Sequence, residues 1–132
     1  MNESSGGLIG PVDFIGLPTH DLEKAVAFYG ETLRLPRSVY RPDRHHAEFE
    51  TDNLTINVMD AEKMGLKHVV SANPIALHVE DVPATRAELE AKGVEFTMDT
   101  FDTGVCHMAF FNDLDGNALM LHHRYAPRQT DG

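Results

Sequence analysis

Two stretches decide the architecture: VDFIGLPTHD, from Val12 to Asp21, and NPIALHVED, from Asn73 to Asp81. Each alternates apolar and other residues as a half-buried strand does, then reaches an aspartate able to cap a helix. Leu17 stands to Leu77 as Asp21 stands to Asp81, at one constant offset of sixty residues. A helical pattern follows each cap. Over Leu22–Leu33 the apolar residues Leu22, Ala25, Val26 and Tyr29 fall at helical spacing. After Asp81, Pro83 sits in the first turn and Gly93 marks the stop. The chain is therefore read as a duplicated unit.

Three strand candidates follow each helix. In the first half they are Arg37–Tyr40, His46–Glu50 and Leu54–Met59; in the second, Val94–Thr97, Val105–Phe111 and Ala118–His122. Asp115-Gly116 is a tight-turn signal between the last two, because glycine tolerates positive φ at a hairpin. Asp52-Asn53 fills the matching place in the first half. The order is strand, helix, three strands, stated twice, with Asp60–Ala72 as linker and Pro127–Gly132 as a polar tail. Module 1 runs from about 11 to 60 and module 2 from about 73 to 126, within one domain spanning 1–132.

Composition bounds the function. With 132 residues, 42% hydrophobic and 24% charged, the chain has the make-up of one globular domain. Its net charge of −10 argues against nucleic acid and anionic membranes as partners. No apolar run approaches the roughly 18 residues of a membrane span. Met1–Gly10 reads as a flexible Ser/Gly leader without the marks of a secretory signal. A single cysteine, Cys106, rules out an internal disulfide and fits a cytoplasmic home, with buried packing as its expected role. Eight histidines are many for this length, and they need an explanation.

Three ordered segments carry a resemblance to a known family. HDLEKAVAFYGETL, from His20 to Leu33, resembles a D-L-x-x-(S/A)-xx-F-Y segment. IALHVEDVPATRAELEAKGVEF, from Ile75 to Phe96, resembles the opening of a second module. MAFFNDLDGNALML, from Met108 to Leu121, resembles an aromatic-x-D-P-D-G-N-x-(I/L)-E-L ending, with Leu114 where proline is common. Together they resemble the vicinal-oxygen-chelate superfamily of glyoxalases, bleomycin-resistance proteins and dioxygenases, over about Val12 to Ala126. The resemblance implies an α+β fold, with two βαβββ modules forming a cupped mixed sheet. One fold hosts many chemistries, so function must come from the site.

Family enzymes hold a divalent metal on four strand residues, and the matching places here are Phe14, Asn57, Pro74 and Met120. None is His, Asp or Glu, whereas such sites need imidazole or carboxylate donors. No metal or other cofactor is expected at the usual positions. Strand parity puts His78 with Pro74 and Ala76, and His122 with Ala118 and Met120, so both histidines share the face that bears ligands in the relatives. His107 goes with Val105 and Ala109, and parity alone leaves its face open. Glu48 and Glu50 suggest a carboxylate face on the corresponding strand of module 1.

Two readings of these residues stand side by side. In one, His78, His122 and His107, with Glu48, make a displaced site for a divalent metal or for acid–base chemistry. In the other they are half-buried sheet residues satisfied by backbone or water. His20, His45, His46 and His68 read as local or surface residues; His123, of opposite parity to His122, is placed to pack under a helix or face a partner subunit. Phe14 is suited to stacking on a flat ligand. The expected function is metal-independent binding of a small organic molecule, with Phe14, Glu48, Asn57, His78, His107, Met120 and His122 as candidate contacts. The alternative is a lyase, isomerase or dioxygenase relative using the displaced histidine site. A homodimer is expected, because many short strands leave edges that need cover.

Overall fold

The computed structural model describes residues 7–131. The leader expected over Met1–Gly10 lies partly outside that range, as does the last residue of the polar tail. Two helices and eight strands follow in the order expected. They are β1 (Ile15–Pro18), α1 (Leu22–Ala27), β2 (Arg37–Arg41), β3 (His46–Glu50) and β4 (Thr55–Met59), then β5 (Ile75–His78), α2 (Val82–Ala91), β6 (Phe101–Asp102), β7 (Cys106–Asn112) and β8 (Ala118–Arg124). Each module is a four-stranded mixed sheet, ordered β1-β4-β3-β2 and β5-β8-β7-β6. In both, the first strand pairs parallel to the last and the other pairings are antiparallel.

The helices begin where the sequence says they should. Asp21 accepts a hydrogen bond from the Lys24 amide at 3.1 Å, and Asp81 accepts one from the Ala84 amide at 2.9 Å. Each cap satisfies an amide that the first helical turn leaves without a partner. The first helix does not run on to Leu33 as one α-helix. After Ala27 it widens into a π-helical turn over Phe28–Thr32, closed by the Leu33 amide bonding Phe28 O at 2.9 Å. Tyr29 and Phe28 are buried on this turn, and Arg34 leaves it with a left-handed φ of 58°.

The second module departs from expectation at its second strand. Val94–Thr97 is not a strand; only Phe96 bridges Phe111, and regular pairing waits until Phe101. Thr97 still bonds β7, its amide donating to Phe110 O at 2.9 Å; just beyond, the Arg86 guanidinium on α2 takes Met98 O at 2.9 Å and Thr100 Oγ1 at 3.2 Å.

The hairpin between β7 and β8 is tight, with Gly116 at φ 93°. Its closing bond runs from the Gly116 amide to Asp113 O at 3.1 Å, so Leu114-Asp115 make the turn and Gly116 takes the left-handed place after it. Asp52 and Asn53 turn the corresponding corner of module 1 without a positive φ.

One apolar cluster joins the modules. Leu17, Phe28, Tyr29, Phe49, Ile56 and Val58 from the first pack in the same buried cluster as Val82, Leu89, Phe111, Leu119 and Leu121 from the second. Across that junction Tyr29 Oη donates to Asp113 Oδ2 at 2.6 Å, and Asn117 Nδ2 donates to Pro18 O at 2.9 Å. Burial, then the charge and hydrogen bond of Asp113, push the Tyr29 phenol far above its ordinary range. No helix of the described residues is long and apolar enough to cross a membrane.

Candidate functional site

Burial distinguishes the two faces of each sheet. On β3 and β4, Ala47, Phe49, Ile56 and Val58 are buried against the helices, and the residues between them point to the helix-free face. That helix-free face carries His46, Glu48 and Glu50 on β3, with Asn57, itself buried, and Met59 on β4. The polar groups are tied together. His46 Nδ1 lies 3.1 Å from Asn57 Oδ1, and Glu48 stands directly across from Asn57. Glu50 accepts from Thr55 Oγ1 at 2.6 Å and from Ser38 Oγ. The Ser38 and Thr55 hydrogen bonds hold its carboxyl below the usual range. The carboxylate face expected from Glu48 and Glu50 is present.

The second sheet has the same construction and a different lining. Ala109, Phe111, Leu119 and Leu121 are buried on the helix side. Met108 and Phe110 face out beside His122 and Met120, their cross-strand partners, and Ala76 and His78 continue that face onto β5. This wall is mainly apolar.

The structure places the sequence candidates as follows. Asn57, Glu48, Met120 and His122 lie on open faces, the first two on one sheet and the last two on the other. Phe14 and Pro74 each precede the first strand of their module, and Phe14 is 49% exposed. Among the main crevices between the described elements, none brings Glu48 or Asn57 together with Met120 or His122.

His107 is on the other face. It shares parity with the buried Ala109 and Phe111, lies 3.5 Å from Asp102 and packs against the Tyr125 ring. A site made of His78, His107 and His122 is therefore not assembled. His78 turns to different partners, since β5 ends there and the chain swings toward α2. Its Nε2 is 2.8 Å from Glu80 Oε2, and its ring centre is 5.6 Å from that of His123. Sequence reasoning missed Glu80 and undervalued His123. The signal was the x-His-Val-Glu run at 78–80 lying parallel to a strand that carries two adjacent histidines.

The other histidines are local. His20 stacks on His68 at 3.5 Å between ring centres, and its amide donates to Asp115 Oδ1 at 2.8 Å. His45 occupies a left-handed turn position at φ 69°. Cys106 is buried, as expected for packing.

The four strand places read from the sequence as metal positions carry few donors suited to a cation. Phe14 and Pro74 offer no side-chain lone pair to a cation, and Asn57 Oδ1 is engaged with His46. Met120 supplies only a soft thioether among Phe110 and Ala76.

A family model described as Glyoxalase/Bleomycin resistance protein/Dioxygenase superfamily matches residues 12–121. Among solved structures, a glyoxalase/bleomycin resistance protein from Streptomyces sp. CB03234 is 25% identical, with TM-score 0.67 over 82% of this chain and 96% of that one. TnmS3, an antibiotic binding protein from the same source, is 24% identical, with TM-score 0.75 over 89% and 98%. Lactoylglutathione lyase from Agrobacterium tumefaciens is 15% identical, with TM-score 0.73 over 86% and 93%. The last two likenesses speak to the fold alone. Among curated proteins, none matches the chain by sequence.

Proposed function

The chain belongs to the glyoxalase/bleomycin resistance protein/dioxygenase superfamily, and on that premise we propose that it binds a small organic molecule without a metal at the usual positions. The observation that carries this reading is the pair of unlike open faces. One presents His46, Glu48 and Asn57; the other presents Phe110, Met120 and Met108. Brought face to face, they make a cavity with a polar wall and an apolar one, as organic-ligand sites commonly have. The fitting ligand has a flat or apolar body and a hydrogen-bonding edge, with Phe14 available to stack on it and His78 and His122 at the end of the apolar wall.

Closing that cavity is assigned to a second copy of the chain. Leu8, Ile9, Val12 and Phe14 form an exposed apolar run ahead of β1, which a homodimer would cover. Light scattering checks this step: a mass near 14.7 kDa at micromolar concentration would sink it.

The test of the function is a thermal-shift screen of small organic molecules against the protein. A ligand at 100 times its Kd stabilises the fold by about 2.7 kcal/mol, well above detection. Hits whose shift disappears in Glu48→Ala and Met120→Ala support the reading; hits indifferent to both overturn it. The alternative, a lyase, isomerase or dioxygenase working through His78, His107 and His122, is disfavoured by the placement of His107 on the helix side. Turnover of hemithioacetals or catechols that required His107 would revive it.

A further inference from the structure

We propose that His78, Glu80 and His123 form a binding site for one divalent transition-metal ion of the zinc, nickel or cobalt kind. The site is separate from the four strand positions discussed above and does not depend on the small-molecule reading. It lies where β5 ends. His78 is the last residue of that strand, Glu80 precedes the helix cap Asp81, and His123 comes from the neighbouring strand β8.

The distances are those of a set that needs little adjustment. One ligand atom from each residue lies within 4.8 Å of the other two. Ligands about 2.1 Å from a tetrahedral ion are roughly 3.4 Å apart, so a contraction of up to about 1.4 Å is required. The side chains of His78 and Glu80 are 63% and 87% exposed, which leaves their rotamers free to make it.

The hydrogen bonding of His123 already favours a metal-competent form, whereas His78 exchanges its bond to Glu80 for the ion or ligates through Nδ1. His123 Nδ1 lies 3.1 Å from Val79 O, and a carbonyl can only accept. Nδ1 therefore carries the proton, and in the neutral ring Nε2 keeps a lone pair for a metal. Metal-binding histidines are oriented by this same device, a backbone acceptor on the remote nitrogen. Glu80 supplies the carboxylate of the set, its Oε2 already 2.8 Å from His78 Nε2. Two imidazoles and one carboxylate suit zinc, nickel or cobalt, whereas magnesium and calcium prefer all-oxygen shells. Three protein ligands leave coordination positions for water or an added ligand. His78 also lines an inter-module crevice of about 600 Å³, so the ion would sit at its rim.

The test is calorimetric titration of the chelator-stripped full-length protein with zinc chloride, repeated with cobalt to read its visible absorption. The expected result is one equivalent bound, with tetrahedral cobalt bands. His78→Ala and His123→Ala should each weaken zinc by about 10–100-fold, and Glu80→Gln by about tenfold. Glu80 is a surface residue, so its variant tests the site without endangering the fold. His20→Asn and His45→Asn serve as controls that leave the affinity unchanged. Absence of saturable binding overturns the proposal. So does binding that survives the double change at His78 and His123, or that falls equally in the controls.

Discussion

On the helix side of the first sheet stand Ile15, Leu17, Ala47 and Phe49; at the matching places of the second stand Ile75, Leu77, Ala109 and Phe111. Ile56 and Val58 correspond to Leu119 and Leu121. The open faces tell the opposite story. Glu48 corresponds to Phe110, His46 to Met108, Asn57 to Met120, Met59 to His122 and Pro18 to His78. Each of these helix-side pairs is of one chemical kind, and each of these five open pairs differs; only the small Gly16 and Ala76 match on the open side. The helix side must fill a close-packed interior, where a lost methylene is felt. The open face is under no such demand and is free to specialise.

The sharpest way to break this comparison is to exchange the treatment of the two faces. Phe49→Ala and Phe111→Ala, each at an essentially fully buried site, should cost about 3–5 kcal/mol in urea unfolding. Phe110→Ala, one residue from Phe111, should cost clearly less. Equal losses for Phe110 and Phe111 would mean that the second sheet is covered on both sides within one chain.

A smaller effect is expected where the modules meet. Tyr29→Phe removes a hydrogen bond to the Asp113 carboxylate and should cost about 1.5–3 kcal/mol. The phenol's pKa is raised in the fold, so its contribution is intact below the unfolded value of about 10 and is lost as pH rises above it. Wild type should therefore lose more stability between neutral and strongly alkaline pH than the phenylalanine variant. A steeper alkaline loss in the variant would contradict the assignment.

The hairpins offer the next contrast. Gly116→Val forces a β-branched residue to φ 93° and should cost about 1–3 kcal/mol. Asn53→Val, at a corner without positive φ, should cost less, on the order of 0.5 kcal/mol. An unchanged melting temperature in the glycine variant would refute the first half. Smallest of all, Glu48→Gln on the polar open face should move stability by no more than about 0.5 kcal/mol while weakening ligand hits.

Where two residues touch the same neighbours in each module, the sequence could be read. The repeated Asp caps, the alternating strands and the glycine turn each rest on local backbone chemistry, and each was found in place. The strand expected at Val94–Thr97 is reduced to a single bridge at Phe96, and just beyond it Arg86 on α2 takes the carbonyl of Met98. A tertiary contact of that kind leaves no periodic trace. The histidines show the same limit. Parity grouped His78 correctly with Ala76 and His122, yet a strand's last residue is not bound by parity, and its ring went to Glu80 and His123. The face of His107 was open for want of a burial pattern, and Ala109 and Phe111 supplied it.

The Asp113 carboxylate collects donors from well-separated parts of the chain. Tyr29 Oη reaches it from the first module, the Asp115 and Asn117 amides from the hairpin, and Asn117 Nδ2 from a side chain that also donates to Pro18 O. Asn117 Oδ1 in turn accepts the Ser71 amide of the linker at 2.9 Å. Opening either module alone would strip a buried charge of part of its solvation by protein dipoles. The duplicated halves consequently have no cheap route to separate melting, and they should behave as one cooperative unit. In amide exchange the Ser71 linker proton should then be released on the slow timescale of the strands rather than with the loops, and fast release there would show the halves opening independently.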